Sequence, residues 1–171
     1  MNRKLSAMHA PTWGLVRRLA LAIVSAGSLL GFSGLPGPAN AVSNQTVVIE
    51  NDRGGSIEER IRIIRQIRRS GARVEIRGEV CLSACTMYLA VPGVCVEPET
   101  VFGFHGPSSR LYGVALRNDQ FEKWSTKMAE YYPEPIRSWF LGTARHTIVG
   151  FQELRGTRII DMGIKRCAGK Y

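Results

Sequence analysis

The sequence predicts an α/β fold with a mainly parallel sheet and flanking helices. Two observations lead there. A β-branched run, Thr46 to Glu50, is followed at once by an amphipathic helical stretch, and the same strand-then-helix order repeats from Arg73 with short links. This is the pattern of parallel βαβ units.

The first strand is predicted to stop at Asn51-Asp52-Arg53-Gly54-Gly55, a run of turn formers. Ser56 and Glu59 then form an S-x-x-E capping box, Ile57, Ile61, Ile64 and Ile67 recur at helical spacing, and Gly71 stands where a C-terminal cap belongs. Arg60, Arg62, Arg65, Arg68 and Arg69 read mostly as the solvated face of this helix, with Glu58 and Glu59 as local counterions. Arg73 to Arg77 alternates like a strand, and Ala84 to Ala90 reads as a second helix. Val94 to Val96 and Val101 to Phe104 look like further strands, separated by Glu97-Pro98-Glu99. Asn118 to Tyr132 and Pro133 to Ala144 look helical, the second opened by proline, and Phe151 to Gly163 is expected to be helical as well.

The N-terminus has a different character. Arg3, Lys4, Arg17 and Arg18 precede an apolar stretch from Leu19 to Leu35, and Ala39-Asn40-Ala41 follows, so residues 1–41 read as a secretory signal peptide cleaved near Ala41. An uncleaved membrane anchor is the competing reading. The remaining chain, 42–171, has the size of one domain. The whole chain carries 23 Lys and Arg against 14 Asp and Glu. Without the four N-terminal charges the balance is 19 to 14, or +5. That mild excess, lacking an aromatic-basic motif, does not point to nucleic acid.

All four cysteines, Cys81, Cys85, Cys95 and Cys167, lie after the leader. In an exported chain disulfides are expected, and three connectivities are open; a zinc site using these thiols and His105 is the competing reading, although it lacks paired CxxC spacing. No cofactor is implied, and no phosphate-binding G-x-x-x-x-G-K-S/T motif occurs in the sequence.

Open α/β sheets place their sites beyond the carboxyl ends of the strands. Three segments meet that condition: the Gly54-Gly55 turn, Gly78 to Ala84 with Ser83 at a helix start, and Phe102 to Pro107 with His105 at a strand end. A serine nucleophile needs a base for its proton and preorganised N–H donors for the oxyanion, and these segments hold one candidate for each. Singly, each also has a plain structural role as cap, turn or packing residue.

Taken together and in order, the three segments resemble the Clp protease proteolytic subunit and the wider crotonase superfamily. Asn51 to Ser56 resembles the family's Asn-Ser-Pro-Gly-Gly turn, Gly78 to Ala84 its glycine-then-serine segment, and Phe104-His105-Gly106-Pro107 its His-x-Pro segment. A fainter likeness continues over Glu153 to Ile164. Exported, Clp-protease-like bacterial proteins carry a similar Cys-x-Ser-Ala-Cys segment and Gly-Phe-His. The resemblance implies a small ββα-spiral-type domain, with Ser83 as nucleophile, His105 as general base and acid, and the N–H groups of Gly55 (or Gly54) and Ala84 as oxyanion hole. The reaction it implies is amide hydrolysis through an acyl-enzyme.

The chain departs from the family in three ways. Residues 144–150, where the family's aspartate is expected, contain no carboxylate; Glu153 is the leading substitute, with His146, Thr147 and Asp161 behind it. The chain from Val42 is also expected to lack the strands that precede the glycine turn in the family, which would leave a sheet edge for a homo-oligomer or a docked partner. Export would remove it from ATP-driven unfoldases, restricting substrates to small or unfolded peptides. A catalytically inactive domain that binds a peptide or protein in the same cleft is the alternative function. Acyl-CoA chemistry, the crotonase alternative, would lack its cofactor outside the cytoplasm.

Overall fold

The computed structural model describes residues 45–109 and 114–169; the expected signal peptide and its cleavage point lie outside the described residues. Two sheets make up the domain. The first has the order β1-β2-β4-β7, from Thr46–Ile49 (β1), Arg73–Ile76 (β2), Cys95–Val96 (β4) and Lys165–Arg166 (β7), and every pair is parallel. The second has the order β3-β5-β6, from Val80–Leu82 (β3), Val101–Phe104 (β5) and Gln152–Arg155 (β6), with β3 parallel and β6 antiparallel to β5. An isolated parallel bridge, Asp52 to Cys81, ties the turn after β1 to β3.

Helix α1, Ile57–Ser70, forms as its sequence pattern predicts. Ser56 Oγ accepts the Glu59 N–H at 3.3 Å, and Gly71 closes the helix at φ 69°, a left-handed conformation that glycine adopts without steric cost. Ile61, Ile64 and Ile67 are buried against the first sheet's Val74 and Ile76 in one continuous core. The Glu59 carboxylate pairs with Arg62. The expected solvated arginine face needs one correction. Arg60 lies three residues after Ile57 and four before Ile64, on the apolar stripe, and is buried.

Two more elements differ from expectation. Val80–Leu82, expected to be part of a strand-to-helix link, is the short strand β3, stabilised by its register with β5 (Leu82 opposite Gly103) and by the Leu82 N–H donating to Asp52 O at 2.8 Å. The segment Phe151 to Gly163, expected to be helical, begins as β6 and becomes helical only over Gly156–Asp161 (α4). Antiparallel pairing with β5 decides this, since Gly103 has no side chain and Phe151 and Leu82 close over it. The helix expected from Ala84 is a 3-10 helix, Ser83–Ala90, whose residues Ala84 to Leu89 are all buried. Asn118–Ala129 (α2) and Ile136–Gly142 (α3) pack on the core through Met128, Ala129, Ile136 and Phe140.

The cysteines pair as Cys81–Cys85 and Cys95–Cys167, which leaves no thiolate for a metal. The pairing fits an oxidising, extracytoplasmic compartment. Among the described residues no helix is long and apolar enough to cross a membrane.

Candidate active site

Ser83 and His105 become neighbours through strand register. Because β3 and β5 run parallel with Leu82 opposite Gly103, the residues that leave their carboxyl ends emerge side by side. Ser83 Oγ lies 2.7 Å from His105 Nε2. The serine takes φ +55°, a left-handed conformation uncommon for a residue with a Cβ, so the surrounding structure must hold it there.

Two devices do so. The Cys81–Cys85 bond brackets the serine, joining β3 to the first turn of the 3-10 helix. The Thr86 hydroxyl donates to Ser83 O at 2.7 Å and stands 2.8 Å from the Tyr132 hydroxyl. Thr86 has one proton and a carbonyl can only accept, so Tyr132 must be the donor to Thr86. Tyr132 is fully buried, and that burial pushes its phenol far above the ordinary value.

The histidine's second nitrogen settles its tautomer. Nδ1 lies 2.6 Å from Gly106 O, an acceptor, so Nδ1 carries the proton and Nε2 presents its lone pair to the Ser83 hydroxyl. Burial holds the imidazole below its ordinary pKa of 6.5, with the Gly106 carbonyl pulling less strongly the other way. It is therefore neutral at pH 7. The Phe151 ring stands edge-on to it, with centroids 5.3 Å apart.

Gly106 is itself fixed by the stretch in which an aspartate was expected. Its N–H donates to Thr147 O at 2.9 Å, and a Cβ on it would overlap the Arg145 carbonyl. The segment 144–150 thus supports the histidine through the backbone of Gly106. Glu153 stands on β6, exposed and opposite Gly103, and Asp161 is exposed at the end of α4. His146 stacks loosely on Phe121, with centroids 6.2 Å apart, and the Thr147 hydroxyl accepts from Gln152. Among the described residues the partner of Nδ1 is a carbonyl, not a carboxylate.

The glycine turn lies against the serine. Gly54 (φ +103°) packs so closely that a Cβ there would stand 2.5 Å from Ser83 Cβ, and its N–H donates to Asp52 Oδ1 at 2.8 Å. Gly54 N–H is thereby occupied. Gly55 (φ +129°) borders the cleft, and among the described residues its N–H meets no acceptor; the same holds for Ala84 N–H in the first helical turn. Of the two glycines, Gly55 is the one able to donate to an oxyanion.

The cleft has a volume of about 380 Å³. Ser83 and His105 border it beside Gly55, Glu58 and the apolar side chains of Trp124 and Met128. Asp52, Arg60, Thr86, Tyr132 and Gly106 were not among the residues that the sequence marks as functional. The apolar-stripe position of Arg60 and the Asp-x-Gly turn signal at Asp52 were the available clues. The chain matches no protein-family model and no curated protein.

Proposed function

We propose that the protein is an exported, ATP-independent serine peptidase acting through Ser83 and His105, with a fold of the type found in the Clp protease proteolytic subunit and the crotonase superfamily. The observation that carries this reading is the 2.7 Å contact from Ser83 Oγ to His105 Nε2, made by a histidine whose other nitrogen is committed to Gly106 O. In support of the fold assignment, the glycine turn, the serine and the histidine converge in the order that the resemblance implies.

In this mechanism Ser83 Oγ attacks the carbonyl carbon of a peptide bond while its proton passes to Nε2. The oxyanion so formed accepts from the N–H groups of Gly55 and Ala84. The imidazolium then gives its proton to the leaving nitrogen, the C–N bond breaks, and an acyl ester remains on Ser83. Water, deprotonated by the same nitrogen, hydrolyses the ester and restores the hydroxyl. A carbonyl at Nδ1 fixes the tautomer but supplies no negative charge to the imidazolium, so turnover is slower than with a carboxylate.

That missing charge is also the observation favouring a second reading, a non-catalytic domain that binds a peptide or protein in the same cleft. Labelling the oxidised protein with a fluorophosphonate probe and mapping the modified residue by mass separates the two. The expected outcome is label on Ser83 that is lost in Ser83→Ala and His105→Ala. Folded protein that takes no label favours the binding domain.

A further inference from the structure

We propose that Arg60, held by Asp52, is a positioning residue that aims the Gly55 N–H into the cleft; this rests on the hydrolase reading above. Arg60 alone among the arginines of α1 is buried, with 7% of its surface exposed. Burying a guanidinium is costly unless its charge and donors are met. Here the glycine turn meets the charge through Asp52 and supplies two acceptors to one terminal nitrogen. Nη2 lies 2.6 Å from Asp52 Oδ2 and donates to Gly54 O at 3.3 Å, while the guanidinium stacks 4.4 Å over the Tyr88 ring.

The contact with Gly54 O is the informative one. That carbonyl and the Gly55 N–H belong to a single planar trans peptide unit, in which C=O and N–H point in opposite directions. Drawing the oxygen toward Arg60 therefore turns the Gly55 N–H away from it. The preceding peptide unit is fixed as well, because Asp52 Oδ1 accepts the Gly54 N–H at 2.8 Å. Glycine at 54 and 55, both at positive φ, would otherwise leave this unit loosely oriented. Asp52 also joins the turn to the nucleophile's strand, since its carbonyl accepts the Leu82 N–H at 2.8 Å. Arg60 and Asp52 thus form a clamp that sets the oxyanion donor relative to Ser83 without touching the reacting atoms.

The test is the concentration dependence of fluorophosphonate labelling at Ser83 in wild type, Arg60→Lys and Asp52→Asn. Lysine keeps the charge but is one atom shorter, so its ammonium falls short of the Nη2 position that reaches both Asp52 and Gly54, and it lacks the plane that stacks on Tyr88. Asparagine keeps an acceptor for the Gly54 N–H while removing the charge that holds Arg60. An oxyanion donor acts on the transition state, so the maximal labelling rate is expected to fall by about tenfold to a hundredfold in folded Arg60→Lys. Asp52→Asn should show a smaller loss in the same direction. The probe concentration giving half the maximal rate stays unchanged in both, a split that general loosening of the fold would not produce. Either variant, folded and labelling at the wild-type maximal rate, overturns the proposal. If Arg60→Lys does not fold, Asp52→Asn decides. In wild type the Gly55 amide proton should move downfield in the NMR spectrum on phosphonylation while that of Gly54 stays, and a stationary Gly55 signal overturns the assignment whichever variants fold. Wild-type protein without label at Ser83 removes the hydrolase reading and this one with it, an outcome distinct from labelled wild type with unaffected variants.

Discussion

His105 is oriented by a neighbouring carbonyl, half-buried, and without a countercharge, and each of these conditions bears on its titration. Its pKa lies below 6.5, so the rate of Ser83 labelling should fall to half its plateau only at a pH below 6.5. A midpoint above 6.5 would contradict the burial argument. Stability follows the same group. The unfolded chain takes up the proton near 6.5 and the folded chain at a lower pH, so between those values the unfolded state binds more protons and is favoured. Urea midpoints of wild type should therefore fall relative to His105→Ala as the pH drops below 6.5, and level off once the folded imidazole is also protonated. Thr86 gives a second residue-scale prediction. As donor to Ser83 O and acceptor from Tyr132, it leaves two buried groups unpaired when replaced, so Thr86→Val should cost about 1–3 kcal/mol in urea unfolding and slow the labelling. Tyr132→Phe removes one hydroxyl but leaves the donation to Ser83 O intact, so it should cost less and spare the labelling rate. Ser83 and His105 were legible as candidates because they follow predicted strand ends in the order and spacing that the family resemblance implies. Gly106 was not legible, because its contribution is a carbonyl, which every residue possesses.

At the scale of elements, β3 and the 3-10 helix form a three-residue strand leading directly into a helix that starts at positive φ, an arrangement with little local propensity behind it. The short-range staple Cys81–Cys85, separated by 4 positions, holds that junction. Chain-entropy reasoning assigns a loop this small only about 2 kcal/mol. Its larger effect is on geometry: Cys81→Ala/Cys85→Ala protein should remain folded by circular dichroism yet lose most of its Ser83 labelling. Unchanged labelling would show that Thr86 and the glycine turn hold the serine unaided. The βα unit from β1 through β2 was readable in advance, because caps, isoleucine spacing and β-branched runs agree over Thr46 to Ile76. The strand β6 was not. Of Gln152, Glu153, Leu154 and Arg155 only Leu154 is apolar, so no alternation marks a strand, and their state is decided by pairing with a β5 that lies about fifty residues earlier.

For the whole molecule, the second disulfide matters more than the first. Cys95–Cys167 spans 72 positions and fastens the chain's last strand region to β4, where Cys95 pairs with Lys165 in the sheet. By the same chain-entropy relation its loss should cost about 4 kcal/mol, roughly double that of the short staple, when the alanine double variants are compared by urea unfolding. Equal losses would mean that the denatured chain is already compact around one of the pairs. The α/β class was legible from the alternation of strands and helices, and the even cysteine count from composition. The division into two sheets was hidden, because it depends on Val80–Leu82 turning away from the first sheet to join β5. The long disulfide has a further consequence. It makes a closed covalent ring of residues 95–167, containing β5, α2, α3, β6 and α4. A single backbone cut within that ring leaves one molecule rather than two fragments, so a chain nicked there keeps Ser83 and His105 on the same particle.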